Sequence, residues 1–200
     1  MPRKGTFVLF LLTAVASQHC TSKPAPPETD LKALVSIKEL MQDIIDPIAD
    51  YIFDAVGTDA SAEGVVETKP VTDDDWARVR RAAVTLAEGS NLLKMQRPVA
   101  PAGDKNRSGD ANPPELSPAQ IQAKIDQNRA LWNTYANELR DEALNVLEVV
   151  KARNADALFE AGSQIDRACE SCHLEYWYPG DRKAVLEDEA KRATIRPPKK

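Results

Sequence analysis

Five consecutive residues, Cys169-Glu170-Ser171-Cys172-His173, constrain this chain more than any other stretch. Two thiols three residues apart, with an imidazole directly after the second, form the C-x-x-C-H pattern of covalent c-type haem attachment. On a helix, positions three and four apart share a face, so Cys169, Cys172 and His173 address one planar ligand. Each thiol adds its S–H across one vinyl group of the porphyrin, and the neutral imidazole takes the iron as proximal ligand. The fold must therefore offer a helix here, with room beside it for one flat group.

Other uses of two cysteines fit less well. A zinc site takes four ligands, usually in paired Cys and His sets. The chain holds 3 cysteines and 2 histidines, and those outside the motif are His19 and Cys20. A C-x-x-C redox pair belongs on a βαβ unit, and no strand pattern surrounds this one.

The N-terminal residues read as an export signal over 1–20. Arg3 and Lys4 form a basic start, and Phe7 to Ala16 is an apolar run too short to span a bilayer. Ala14-Val15-Ala16 is a small-x-small cleavage site that releases a chain beginning at Ser17. A second route, cleavage before Cys20 with lipid on that cysteine, also stands open: Ser17-Gln18-His19 matches poorly, but a Pro-rich polar tether follows over 21–29. Either route places the protein in the periplasm, soluble or lipid-anchored, where c-type haem is attached. The net charge is −5, and loss of Arg3 and Lys4 leaves 24 basic against 31 acidic side chains. That balance, with no basic-aromatic clusters, argues against nucleic acid and suits a basic redox partner.

Apolar spacing then predicts helices. Leu34, Ile37, Met41, Ile44, Ile48 and Ile52 make one stripe over 31–56, with Asp30 as cap, a kink at Pro47 and a stop at Gly57. Residues 58–69 read as a polar loop. Thr72-Asp73-Asp74-Asp75 starts a second helix to about Met95, with Trp76, Val79, Ala83, Leu86 and Leu93 inward. The stretch 97–117 has Pro, Gly and charge without periodicity, and reads as a long disordered loop. Ser117-Pro118 opens a third helix to Asn154, the longest, with Ile121, Ile125, Asn128, Trp132, Tyr135, Leu139, Ala143, Val146 and Val150 as its stripe. The fourth begins at Asp156 and carries Leu158, Gly162, Ile165, Cys169, Cys172 and Tyr176 until Pro179-Gly180. The expected fold is all-α: an antiparallel four-helix bundle over 30–180 with covalently attached haem, and a partly ordered tail over 181–200.

A bundle with one C-x-x-C-H near the end of its fourth helix resembles the cytochrome c′ class (class II c-type cytochromes). The likeness covers about residues 30–180 in architecture, and its sequence-specific part is Cys169 to His173. It implies a single haem c, with His173 as fifth ligand and the sixth position either empty or filled by a methionine of the first helix. It also implies pairing as homodimers in many members. This chain departs from the class in longer interhelical loops, in its C-terminal extension and in the aromatic run Tyr176-Trp177-Tyr178.

With His19 in the leader, methionines and lysines remain as sixth-ligand candidates. Met41 lies on the inward stripe of the first helix, alongside the last turns of the fourth, and reads either as a core gap-filler or as an iron ligand. Met95 reads as packing. Trp76, Trp132 and Tyr135 face inward, while Tyr176, Trp177 and Tyr178 either cover one haem edge or pack against the tail. Arg80 and Arg167 could pair with propionates, but an arginine on a polar helix face needs no special explanation, and neither is counted among the site residues. The cofactor-binding residues are thus Cys169, Cys172, His173 and Met41, with His173 and Met41 on the iron. The function expected is non-enzymatic: single-electron transfer with redox partner proteins. The alternative is a five-coordinate haem that binds diatomic gases such as nitric oxide or carbon monoxide.

Overall fold

A computed structural model describes residues 1, 31–62, 64–106 and 115–187. The expected export segment, Cys20, the expected tether and Asp30 cap, and most of the C-terminal tail lie outside the described residues. All the elements fall in the unit Lys32–Lys200; of residues 1–31 only Met1 and Leu31 are described. The described residues are mostly helical, with one small hairpin among them. Among the described residues, no helix is long and apolar enough to cross a membrane.

Helix α1 starts later than the stripe suggests. It covers Ile37–Leu40, passes through a π-turn at Met41–Ile45 and continues over Asp46–Asp54. Ser36 is its cap: its hydroxyl accepts the Glu39 N–H at 3.2 Å, and the Glu39 carboxylate accepts the Ser36 N–H at 2.8 Å. Leu34 lies before that cap and is 93% exposed, so the first member of the stripe is not in the helix. Pro47 does not end α1. The Asp46 N–H donates to Met41 O, five residues back, and this widened turn makes room for the proline ring, which lacks an N–H of its own. The extra residue shifts the inward face: Ile45, Ala49 and Ile52 are buried, while Ile44 and Ile48 are only partly so.

The expected loop after α1 is a hairpin, β1 (Gly57–Ser61) paired antiparallel with β2 (Gly64–Thr68). Gly64, with φ of +135°, takes a conformation that favours glycine. Almost every residue of the hairpin is exposed, so it carries no inward-outward alternation for a sequence reading to detect.

Helix α2 (Asp73–Leu92) is capped by Thr72, whose hydroxyl accepts the Asp75 N–H. Its C-terminal carbonyls find side-chain donors. Arg97 Nη2 donates to Leu92 O at 2.7 Å, Trp132 Nε1 to Leu93 O at 2.8 Å, and Arg129 Nη2 to Lys94 O at 2.8 Å.

The long third helix is two helices, α3 (Pro118–Gln127) and α4 (Arg129–Ala152). Asn128 leaves the helical region, with φ −143° and ψ 72°, and its side chain caps α4 by accepting the Leu131 N–H. The apolar spacing runs through this break unchanged, so periodicity alone does not show it. Helix α5 (Ala155–Tyr176) follows an Asn154 cap, and residues 182–187 are helical after a short turn at Pro179–Asp181.

The most extensive contacts are α2 against α4 and α4 against α5, with α1 against α2 and, over a smaller area, α5. They enclose one core in which Ile52, Leu86, Ile121, Ile125, Leu158 and Ile165 are fully buried. Each such side chain contributes about 1.5–3 kcal/mol by leaving water.

The first half of the expected disordered loop is a strap. Pro98 O and Val99 O accept the N–H groups of Ile37 and Lys38, both at 2.9 Å, which satisfies the open start of α1. Arg97 is buried and its Nη1 donates to Val35 O. Asp104 pairs with Lys38 at 2.8 Å and accepts the Asn106 N–H at 2.7 Å. Asn106 is 1% exposed and donates to Leu116 O, while the Leu116 N–H donates to Trp177 O at 2.8 Å. Over residues 97–106 a stretch without periodicity is therefore held by its own polar groups, bonded to helix ends that need partners.

Candidate functional site

Helix α5 keeps Cys169, Cys172 and His173 on one side because its burial stripe, Leu158, Ala161, Ile165 and Ala168, leads to that same side. All three line a cavity of about 610 Å³, inside the ~300–1,000 Å³ range of small-molecule and cofactor sites. Met41, at the start of the π-turn, lines the same cavity, as do Trp132, Tyr135 and Leu139 of α4. The four residues expected to hold a haem are thus brought together at one place.

Both thiols are free and half-buried. Burial pushes Cys169 up to about 12, with Asp166, Asp46 and Glu170 adding to the rise. Cys172 is likewise pushed up to about 12, by burial first and by Cys169 second. Burial lowers His173 below its ordinary value, opposed by Glu170 and Asp46. At neutral pH the donor set is two protonated thiols and a neutral imidazole. A reactive redox dithiol needs a thiolate, which this environment disfavours. Among the described residues no cluster of three or more His, Cys, Asp or Glu is placed to hold a metal ion. Two thiols, one imidazole and one thioether around a largely aromatic and aliphatic slot fit a porphyrin better than a bare ion.

The helix carrying the motif ends on it. His173 O accepts the N–H groups of Trp177 at 2.7 Å and Tyr178 at 3.0 Å, which turns the chain back beside the imidazole. Their rings lie 6.4 and 5.8 Å from that of His173, centroid to centroid. The Tyr178 hydroxyl donates to Glu170 at 3.1 Å. Trp177 and Tyr178 line the cavity, whereas Tyr176 turns into the core, edge-on to Trp132 at 5.0 Å and Tyr135 at 5.9 Å.

Met95, Trp76, Arg80 and Arg167 do not line the cavity. Phe53 does, together with a set of charged residues that the sequence reading passed over: Lys38, Asp46, Asp50, Glu115, Asp166 and Glu170. Those on α1 sit three, four or five positions from Met41 or from one another, which was the available signal. Polar residues on a helix flank are usually read as solvated, so they did not stand out. No family model, curated protein or solved structure matches this chain, so the site stands on its own residues.

Proposed function

We propose that this chain is an exported, periplasmic monohaem c-type cytochrome: an antiparallel four-helix bundle that carries single electrons between redox proteins. The observation that carries this reading is the convergence of Cys169, Cys172, His173 and Met41 on one cavity of haem-sized class. Haem c, when bound, supplies a one-electron ferric–ferrous couple.

The chain's own residues do the rest. Cys169 and Cys172, one helical turn apart, would hold the macrocycle through thioethers. His173, kept neutral by burial, would offer its imidazole to the iron. Trp132, Tyr135 and Leu139 wall the slot and keep water from it, and Trp177 and Tyr178 fix the motif's last turn. Met41, which lines the same cavity, would offer a thioether sulfur to the iron and so favour the ferrous state.

Two measurements on protein from a host that matures c-type cytochromes test this. Acid extraction of the denatured protein leaves the colour with the chain, and the intact mass exceeds that of the apoprotein by one haem. The reduced spectrum is indifferent to carbon monoxide in the wild type and responsive in Met41→Ala. A wild type that binds the gas directly would point to the gas-binding alternative, and an apoprotein mass alone would remove both readings.

A further inference from the structure

We propose that Lys38 is the residue that receives a carboxylate of the bound cofactor, held in place for that role by Asp104 of the strap. The inference rests on the haem reading above. A haem brings two propionate carboxylates, and the cavity is poorly furnished for them. Among the described residues that line it, five are acids, Asp46, Asp50, Glu115, Asp166 and Glu170, and Lys38 is the single lysine or arginine. An anion entering this cavity is repelled from most of its charged rim and attracted at one point.

Lys38 is built into position. It lies one turn before Met41 on α1, so both side chains address the same cavity. Its backbone N–H is bonded to Val99 O, and its ammonium to Asp104 at 2.8 Å. The lysine and aspartate side chains are 25% and 28% exposed, shielded enough for the pair to hold. Asp104 is itself fixed by the N–H of Asn106, which is buried and bonded to Leu116. An ammonium has three donors, and the bond to Asp104 uses one. The remaining donors suit a second carboxylate, so Lys38 sits between the strap and the cofactor while Asp104 is a positioning residue.

The test uses the holoprotein with spectroelectrochemistry at fixed applied potentials. Lys38→Gln keeps its covalent haem but shifts the ferrous-to-ferric ratio toward ferric by on the order of tenfold, because a cation that stabilises the extra electron is gone. Asp104→Asn, which leaves the ammonium unheld, shifts the ratio the same way by a smaller factor. Lys38→Arg holds the wild-type ratio, and Lys151→Gln, at an exposed salt bridge on α4, does not move it. A coloured Lys38→Gln with an unchanged ratio overturns the proposal. If Lys38→Gln does not retain haem, Asp104→Asn decides: a wild-type ratio or a shift toward ferrous overturns it. Absence of covalent haem in the wild type instead overturns the underlying reading, so the two failures are distinct.

Discussion

Replacing Tyr176 by Phe is expected to stabilise the protein. Tyr176 is 1% exposed, and its hydroxyl has no hydrogen-bond partner among the described residues. Leaving a buried polar group unpaired costs ~1–3 kcal/mol, whereas the ring contacts to Trp132 and Tyr135 survive the substitution. The low end of that range, a gain of about 1 kcal/mol, corresponds to a rise of ~2–4 °C in Tm for a domain of this size. Urea unfolding followed by circular dichroism reads it as a higher midpoint with an unchanged slope. The pH dependence gives a second reading. Burial raises the phenol from 10.0 to about 12, so between those values the folded state keeps a proton that the unfolded chain has released. Wild-type stability therefore falls as pH rises from 10 toward 12, and phenylalanine, with nothing to titrate, is spared that loss. The gap between variant and wild type widens with pH. A variant that is less stable by 1 kcal/mol or more, or a gap that closes on raising pH, would refute the reasoning and show that the hydroxyl is bonded.

Asn128→Ala removes the cap of α4 and should cost about 1 kcal/mol of unfolding free energy, measured by urea titration; no loss would mean that α3 and α4 merge without penalty. Glu39, bonded to Ser36, and Asp104, paired with Lys38, have carboxyls held below their ordinary values. Their contribution is complete above the ordinary carboxylate range and is lost as pH falls through the folded values, so Asp104→Asn should flatten the stability profile between pH 5 and 3. Before haem is attached, Cys169 and Cys172, pushed up to about 12, should alkylate with iodoacetamide at pH 8 at least about a hundredfold more slowly in the folded chain than in urea. Equal rates would show the thiols to be exposed. Ile165→Ala, at a fully buried site one turn before the motif, should cost ~2–5 kcal/mol by equilibrium unfolding.

The sequence made the helices legible wherever one face was buried and a cap marked the start. Thr72, Ser117 and the stripe from Leu158 to Tyr176 are of that kind. It also led to the cavity, because C-x-x-C-H fixes residue types and spacing together, and Met41 fell on an inward stripe. The misreadings share a cause: periodicity reports burial, not backbone continuity. Asn128 interrupts a helix without breaking the apolar rhythm, and the π-turn before Pro47 moves the inward face from Ile44 to Ile45 without leaving a gap. The strap and Lys38 were hidden for another reason. Their order comes from hydrogen bonds to helix ends, and a chain read alone does not show which carbonyl meets which N–H.

The exposed hairpin has a practical consequence. Its ten strand residues lie outside the shared core and none of them lines the cavity. A tight turn between two exposed strands tolerates inserted sequence when the backbone around it carries no buried contacts. The stretch between Ser61 and Gly64 is thus the place to graft an affinity peptide or a reporter domain, leaving Cys169, Cys172 and His173 undisturbed.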